Sequence, residues 1–148
     1  MAEFNLSRFI GAQNHGSYES ALRELKNGRK VGHWMWFIFP QIKGLGHSST
    51  SVYYSIQNLD EAIAYLSDPV LGERIIQCTE ALLSLPSYSA EEIFGYPDYL
   101  KFLSSLTLFE QASGKGSIFT EALEKYYPGQ RDQKTLEILQ HVESGVAS

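Results

Sequence analysis

Six consecutive residues, Trp34-Met35-Trp36-Phe37-Ile38-Phe39, carry no polar side chain, and they include both tryptophans of the chain. Whether helix or strand, such a run has no face that can be left in water, so it must be a central buried element against which other segments pack. Pro40 biases Phe39 toward extended backbone, so the run reads as a short buried helix ending there, with a strand as the alternative. The chemistry then changes abruptly. Gln41, Lys43, Gly44, Gly46, His47, Ser48 and Ser49 follow within nine positions, the make-up of a loop at the rim of a pocket.

The remaining segments have helical spacing between strong stop signals. Asn5 or Ser7 caps a first helix carrying Leu6, Phe9 and Ile10, and Asn14-His15-Gly16 ends it. Ser17 caps a second with Tyr18, Ala21, Leu22 and Leu25 aligned, stopped at Lys26-Asn27-Gly28. Ser48 or Ser49, Asn58, Asp68, Ser117 and Asp132 open later helices, and Ser89-x-x-Glu92 is a capping box. Pro97 starts a long helix through Leu100, Leu103, Leu106, Leu108 and Phe109. Strand signals are weak throughout. The expectation is one all-α multihelical domain over residues 1–148, with about seven to nine helices and a frayed tail at 144–148.

A chain of 148 residues with 43% hydrophobic and 13% aromatic content can build its own core. A net charge of −5 argues against binding a nucleic-acid backbone, which calls for a clustered basic face. The single cysteine, Cys78, cannot form an internal disulfide and sits among apolar neighbours, as expected of a buried thiol in a reducing compartment. The first residues lack a basic segment followed by an apolar run, and no stretch is long and apolar enough to span a bilayer. A cytoplasmic location away from membranes is therefore expected, and nothing in the sequence fixes an oligomeric state.

Two constellations carry candidate chemistry. Lys43, Gly44, Gly46 and Ser48 suit an anion nest, in which glycines let backbone N–H groups converge and Lys43 adds charge. Trp34 and Trp36 offer stacking surfaces beside it, a pairing suited to nucleotide-like ligands. The plainer reading of the loop is a flexible joint. His33 and His47 flank the aromatic run, but two histidines without cysteine or carboxylate at ligand spacing make no metal site. No cofactor is called for. Gln41 would orient a ligand or tie a turn. Asp98, Lys101, Ser104 and Ser105 share a helix face, where an acid and an ammonium group suit acid–base work on a glycosidic or phosphate ester bond. The plainer reading makes Asp98 a first-turn acid paired with Lys101.

Several motifs together carry a resemblance: Leu6-x-Arg8-Phe9-x-x-Ala12-Gln13, Tyr18-x-x-Ala21-Leu22-x-Glu24-Leu25, His33-Trp34-Met35-Trp36-Phe37-Ile38-Phe39-Pro40-Gln41, and Phe94-Gly95-x-x-Asp98-x-x-Lys101. The chain resembles a family of small, mainly helical proteins known as domain of unknown function 1810. That resemblance implies a mainly α fold and no established reaction. Some members carry the label "calpastatin", but an inhibitor of that kind is a disordered, repetitive, polar chain, unlike this one. A fold-level likeness to helical N-glycosidase domains acting on ADP-ribose selects among reactions without carrying function. The leading expectation is a pocket built by residues 33–49 and 98–105 that binds or hydrolyses a nucleotide or ribosyl phosphate. In it Asp98 and Lys101 are catalytic, and His33, Trp34, Trp36, Gln41, Lys43, Gly44, Gly46, His47 and Ser48 hold the ligand. The alternatives are a non-catalytic module that receives a peptide or partner helix, and an aromatic segment that is core only.

Overall fold

The computed structural model describes residues 4–143, so the expected frayed tail at 144–148 lies outside the described residues. Among the described residues ten helices form one all-α body: α1 Ser7–Gln13, α2 Ser17–Lys26, α3 Met35–Ile38, α4 Ser49–Tyr53, α5 Leu59–Ser67, α6 Leu71–Leu83, α7 Ala90–Phe94, α8 Asp98–Ser113, α9 Ile118–Tyr126 and α10 Gln133–Glu143. The expected seven to nine is exceeded because three of the helices, α3, α4 and α7, are short single turns. Extended pairing among the described residues is confined to an isolated bridge between Ile42 and Ile56.

Local signals set most boundaries. The Ser48 hydroxyl accepts from Ser51 N, the Asn58 side chain from Glu61 N, and Asp68 Oδ1 from Val70 N and Leu71 N. Ser89 and Glu92 close a reciprocal capping box. At α1 and α2 the expectation is corrected. Leu6 and Gly16 occupy the cap positions without a side-chain bond, and Ser17 is the first helical residue. Gly16 takes a left-handed φ of 91°, which turns the chain directly into α2 without a hydroxyl cap.

The axis of the fold is α8, where residues Phe102 to Glu110 are all buried. A helix buried all round needs its polar side chains satisfied internally. Ser104 Oγ and Thr107 Oγ1 donate back to the carbonyls of Leu100 (3.2 Å) and Leu103 (2.8 Å), and Glu110 is gripped by Arg131 and Thr120. Around α8 pack α5, α9, α10, α7 and α3. The aromatic run is therefore a one-turn helix laid on the central helix and not the centre itself. Met35, Ile38 and Phe39 are buried, with the Phe39 ring 4.9 Å from that of Phe102, whereas Trp36 and Phe37 remain partly exposed.

Candidate functional site

After α3 the chain runs extended. Lys43 N donates to Ile56 O and Ile56 N to Gln41 O, both at 2.8 Å, which turns Ile42 into the core and leaves Gln41 and Lys43 at the surface. It then bends at Gly44, whose φ of 110° is left-handed, and presses Gly46 so closely on α4 that an added Cβ would lie 2.6 Å from Ser51 Cβ. The glycines thus serve chain geometry at both points. The loop so shaped faces the N-terminal half of α8 across a cleft of about 300 Å³, lined by Gln41, Gly46, Ser51, Lys101, Ser104 and Asp132 over an apolar base of Leu45 and Leu103.

Charge beside this cleft is organised as a chain. Asp98 Oδ2 lies 2.7 Å from Lys30 Nζ and its Oδ1 lies 3.5 Å from Lys101 Nζ. Each lysine rests over an indole, Lys30 on Trp34 and Lys101 on Trp36, both 5.1 Å from the ring centroid and within cation–π range. Asp98 therefore holds two ammonium groups in place, and the cleft-lining member of the group is Lys101. Two buried side-chain polar atoms lack partners among the described residues, Trp36 Nε1 and Ser105 Oγ. Trp36 is the residue under Lys101, and Ser105 lies one helical turn beyond it.

The other expected ligand residues are dispersed. Trp34 is 4% exposed, and its Nε1 donates to Glu24 Oε1 at 2.8 Å, so its indole is part of the core. Burial alone would raise the Glu24 carboxyl, but N–H donors of Gly32, Val31 and the Trp34 indole outweigh it and hold the group below its ordinary value. His33 lines a separate depression of about 440 Å³ with His15, Ser17, Ser20 and Glu24. Lys43 lines a third, of about 260 Å³, with Arg8, Asn5 and Gln57. Ser48 is occupied as the α4 cap, and His47 is exposed outside all three. The anion nest expected from Lys43, Gly44, Gly46 and Ser48 is thus divided: Gly46 reaches the cleft, Lys43 turns away, and Ser48 is spent on the backbone. Among the described residues no His, Cys, Asp and Glu groups assemble into a metal-binding cluster.

The sequence pattern marks neither Lys30 nor Asp132 as a site residue. Lys30 carries no local pattern that marks it. Asp132 reads from sequence only as a helix cap, and its approach to the loop 90 residues earlier depends on α10 packing against α8.

The family model described as "Protein of unknown function (DUF1810)" matches residues 3–139. The chain belongs to the DUF1810 family. Among solved structures, this DUF1810 member is similar to the conserved hypothetical protein Rv1873 from Mycobacterium tuberculosis, at 47% identity and a TM-score of 0.89, covering 93% of this chain and 97% of that one. No curated protein matches it. No described helix of this DUF1810 chain is long and apolar enough to cross a membrane.

Proposed function

We propose that this protein binds a small phosphorylated ribosyl compound, a mononucleotide or the ribosyl-phosphate part of an ADP-ribose-like molecule, in the cleft between residues 41–51 and α8. The observation that carries this reading is that Gln41 and Gly46, from the segment after the aromatic run, line one cleft with Lys101 and Ser104 of α8. Lys101 supplies the charge. Its distance of 3.5 Å from Asp98 and its partly exposed side chain leave donors for a phosphate oxygen. A volume near 300 Å³ stands at the lower end of ligand pockets, about 300–1,000 Å³. It suits one ribosyl phosphate unit, with the rest of a larger nucleotide projecting outward.

Binding is better supported than hydrolysis. Each oxygen of Asp98 faces a lysine and the residue does not line the cleft, so its role is to position Lys101. The peptide-binding alternative calls for an apolar groove beside Trp34 or Trp36, and the depression beside Trp34 is walled mainly by polar residues.

Thermal unfolding with AMP, ADP-ribose and ribose 5-phosphate tests the proposal. At about a hundred times its dissociation constant a ligand adds roughly 2.7 kcal/mol, or about 8 °C for a chain of this size. Lys101→Ala should weaken binding at least tenfold and leave the unliganded melting temperature nearly unchanged. The proposal fails if none of the three compounds shifts the wild type, or if Lys101→Ala binds as well as the wild type.

A further inference from the structure

Asp132 is the acid of the cleft, and it is held rigidly. Its N–H donates to Thr107 Oγ1 at 3.0 Å, and its Oδ2 accepts from Thr135 N at 3.1 Å and from the Thr135 hydroxyl. Thr107 and Thr135 are both fully buried, so backbone and carboxylate are anchored from inside. Among the described residues Oδ1 has no hydrogen-bond partner, and neither has the side-chain amide of Gln41 on the same cleft. Ser104 donates its hydroxyl proton to Leu100 O, which leaves its oxygen free to accept.

A cleft built only for an inorganic anion gains nothing from a fixed carboxylate, which repels it. A fixed acceptor oxygen beside neutral amide and hydroxyl groups instead matches hydroxyl donors, as carboxylates do when they read ribose diols. Resting on the ribosyl-phosphate reading above, we infer that Asp132 Oδ1 accepts from the sugar hydroxyls of the ligand while Lys101 takes its phosphate. The cleft then selects phosphorylated sugars and nucleotides bearing a vicinal diol over simple phosphates and deoxy sugars.

Titration calorimetry on the full chain with ribose 5-phosphate, 2-deoxyribose 5-phosphate and inorganic phosphate tests this. The wild type should bind ribose 5-phosphate at least tenfold more tightly than the deoxy sugar, a comparison that needs no variant. Asp132→Asn keeps a side-chain oxygen for the Thr135 N–H and so preserves the α10 cap. It should weaken ribose 5-phosphate at least tenfold and leave inorganic phosphate unchanged or bound more tightly, since a repelling charge is gone. Equal affinity of the wild type for the two sugars overturns the assignment, as does an Asp132→Asn variant that weakens phosphate as much as ribose 5-phosphate. Wild type that binds neither sugar phosphate nor phosphate overturns the ribosyl-phosphate reading itself, and this inference with it.

Discussion

Replacing Glu61 by alanine should be among the most destabilising single changes in this fold. Arg8 and Glu61 form an ion pair at 3.0 Å, with side chains 7% and 0% exposed. Arg8 also donates to the carbonyls of Tyr53 and Ser55, both at 2.8 Å, and Glu61 Oε1 accepts from Gln57 N at 2.7 Å. The pair therefore ties α1 to α5, and the carbonyl contacts add the end of α4 and the residues just after it. Removing one partner of a buried pair costs about 3–5 kcal/mol, because the surviving charge is left without its counterion. Unfolding entropy of about 2.1 cal/mol/K per residue makes each kcal/mol worth roughly 3 °C here, so the expected fall in melting temperature is about 10–15 °C.

The assay is thermal and urea unfolding by circular dichroism of wild type, Glu61→Ala, Arg8→Met and the double variant Arg8→Met/Glu61→Ala. If the orphaned charge is the cause, the double variant is more stable than Glu61→Ala, with a coupling energy of at least about 2 kcal/mol. A fall below about 3 °C for Glu61→Ala, or coupling near the 0.5 kcal/mol of an exposed pair, would refute the reasoning. The result also bears on the groove that Arg8 shares with Lys43. An Arg8 committed to Glu61 and to the carbonyls of Asn5, Tyr53 and Ser55 leaves Lys43 as that groove's available cation, a weaker anion site than the motif around Lys43 promised.

Two further expectations concern titratable groups. Burial alone would raise the Glu110 carboxyl, but hydrogen bonds from Arg131 and Thr120 and the arginine charge outweigh it and lower the group. A depressed folded-state carboxyl contributes stability above its unfolded value and loses it as pH falls toward the folded one. Urea unfolding should therefore show wild type weakening below about pH 4.5 more steeply than Glu110→Gln, and parallel pH profiles would contradict this. Burial also pushes the Cys78 thiol up to about 12, partly offset by Arg74. Cys78 should resist Ellman's reagent in the native protein and react in denaturant, and rapid native labelling would contradict its burial.

Features that depend on neighbours in sequence were legible from sequence. The caps at Ser48, Asn58, Asp68, Ser89 and Asp132 formed because a side chain two or three residues from its N–H partner needs no tertiary help. Asn58-x-x-Glu61 even has the spacing that brings Glu61 back to the start of its helix, though nothing local announces Arg8 as its partner. The grouping of side chains into sites was not legible in this way. Because α3 is a single turn followed by extended chain and a glycine bend, His33, Trp36, Gln41 and Lys43 fan out around it. His33 meets His15 in one depression, Lys43 meets Arg8 in another, and Gln41 meets Lys101 and Asp132 in the third.

A one-turn helix against one whose middle is buried all round also explains why the aromatic run divides its labour. The residues facing α8 must fill space, so Phe39 packs on Phe102. Trp34 sits in the core and satisfies its indole on Glu24. Trp36, at the open edge, is covered by the Lys101 side chain, which pays desolvation only in part and keeps its ammonium group at the cleft. The same packing that makes the segment a core element thus delivers one cation and one amide to the surface, Lys101 held by Trp36 and Asp98, and Gln41 held by the Ile42–Ile56 bridge. Core and candidate site are parts of a single arrangement, because the bridge that sets Gln41 at the surface is made by two fully buried residues, Ile42 and Ile56.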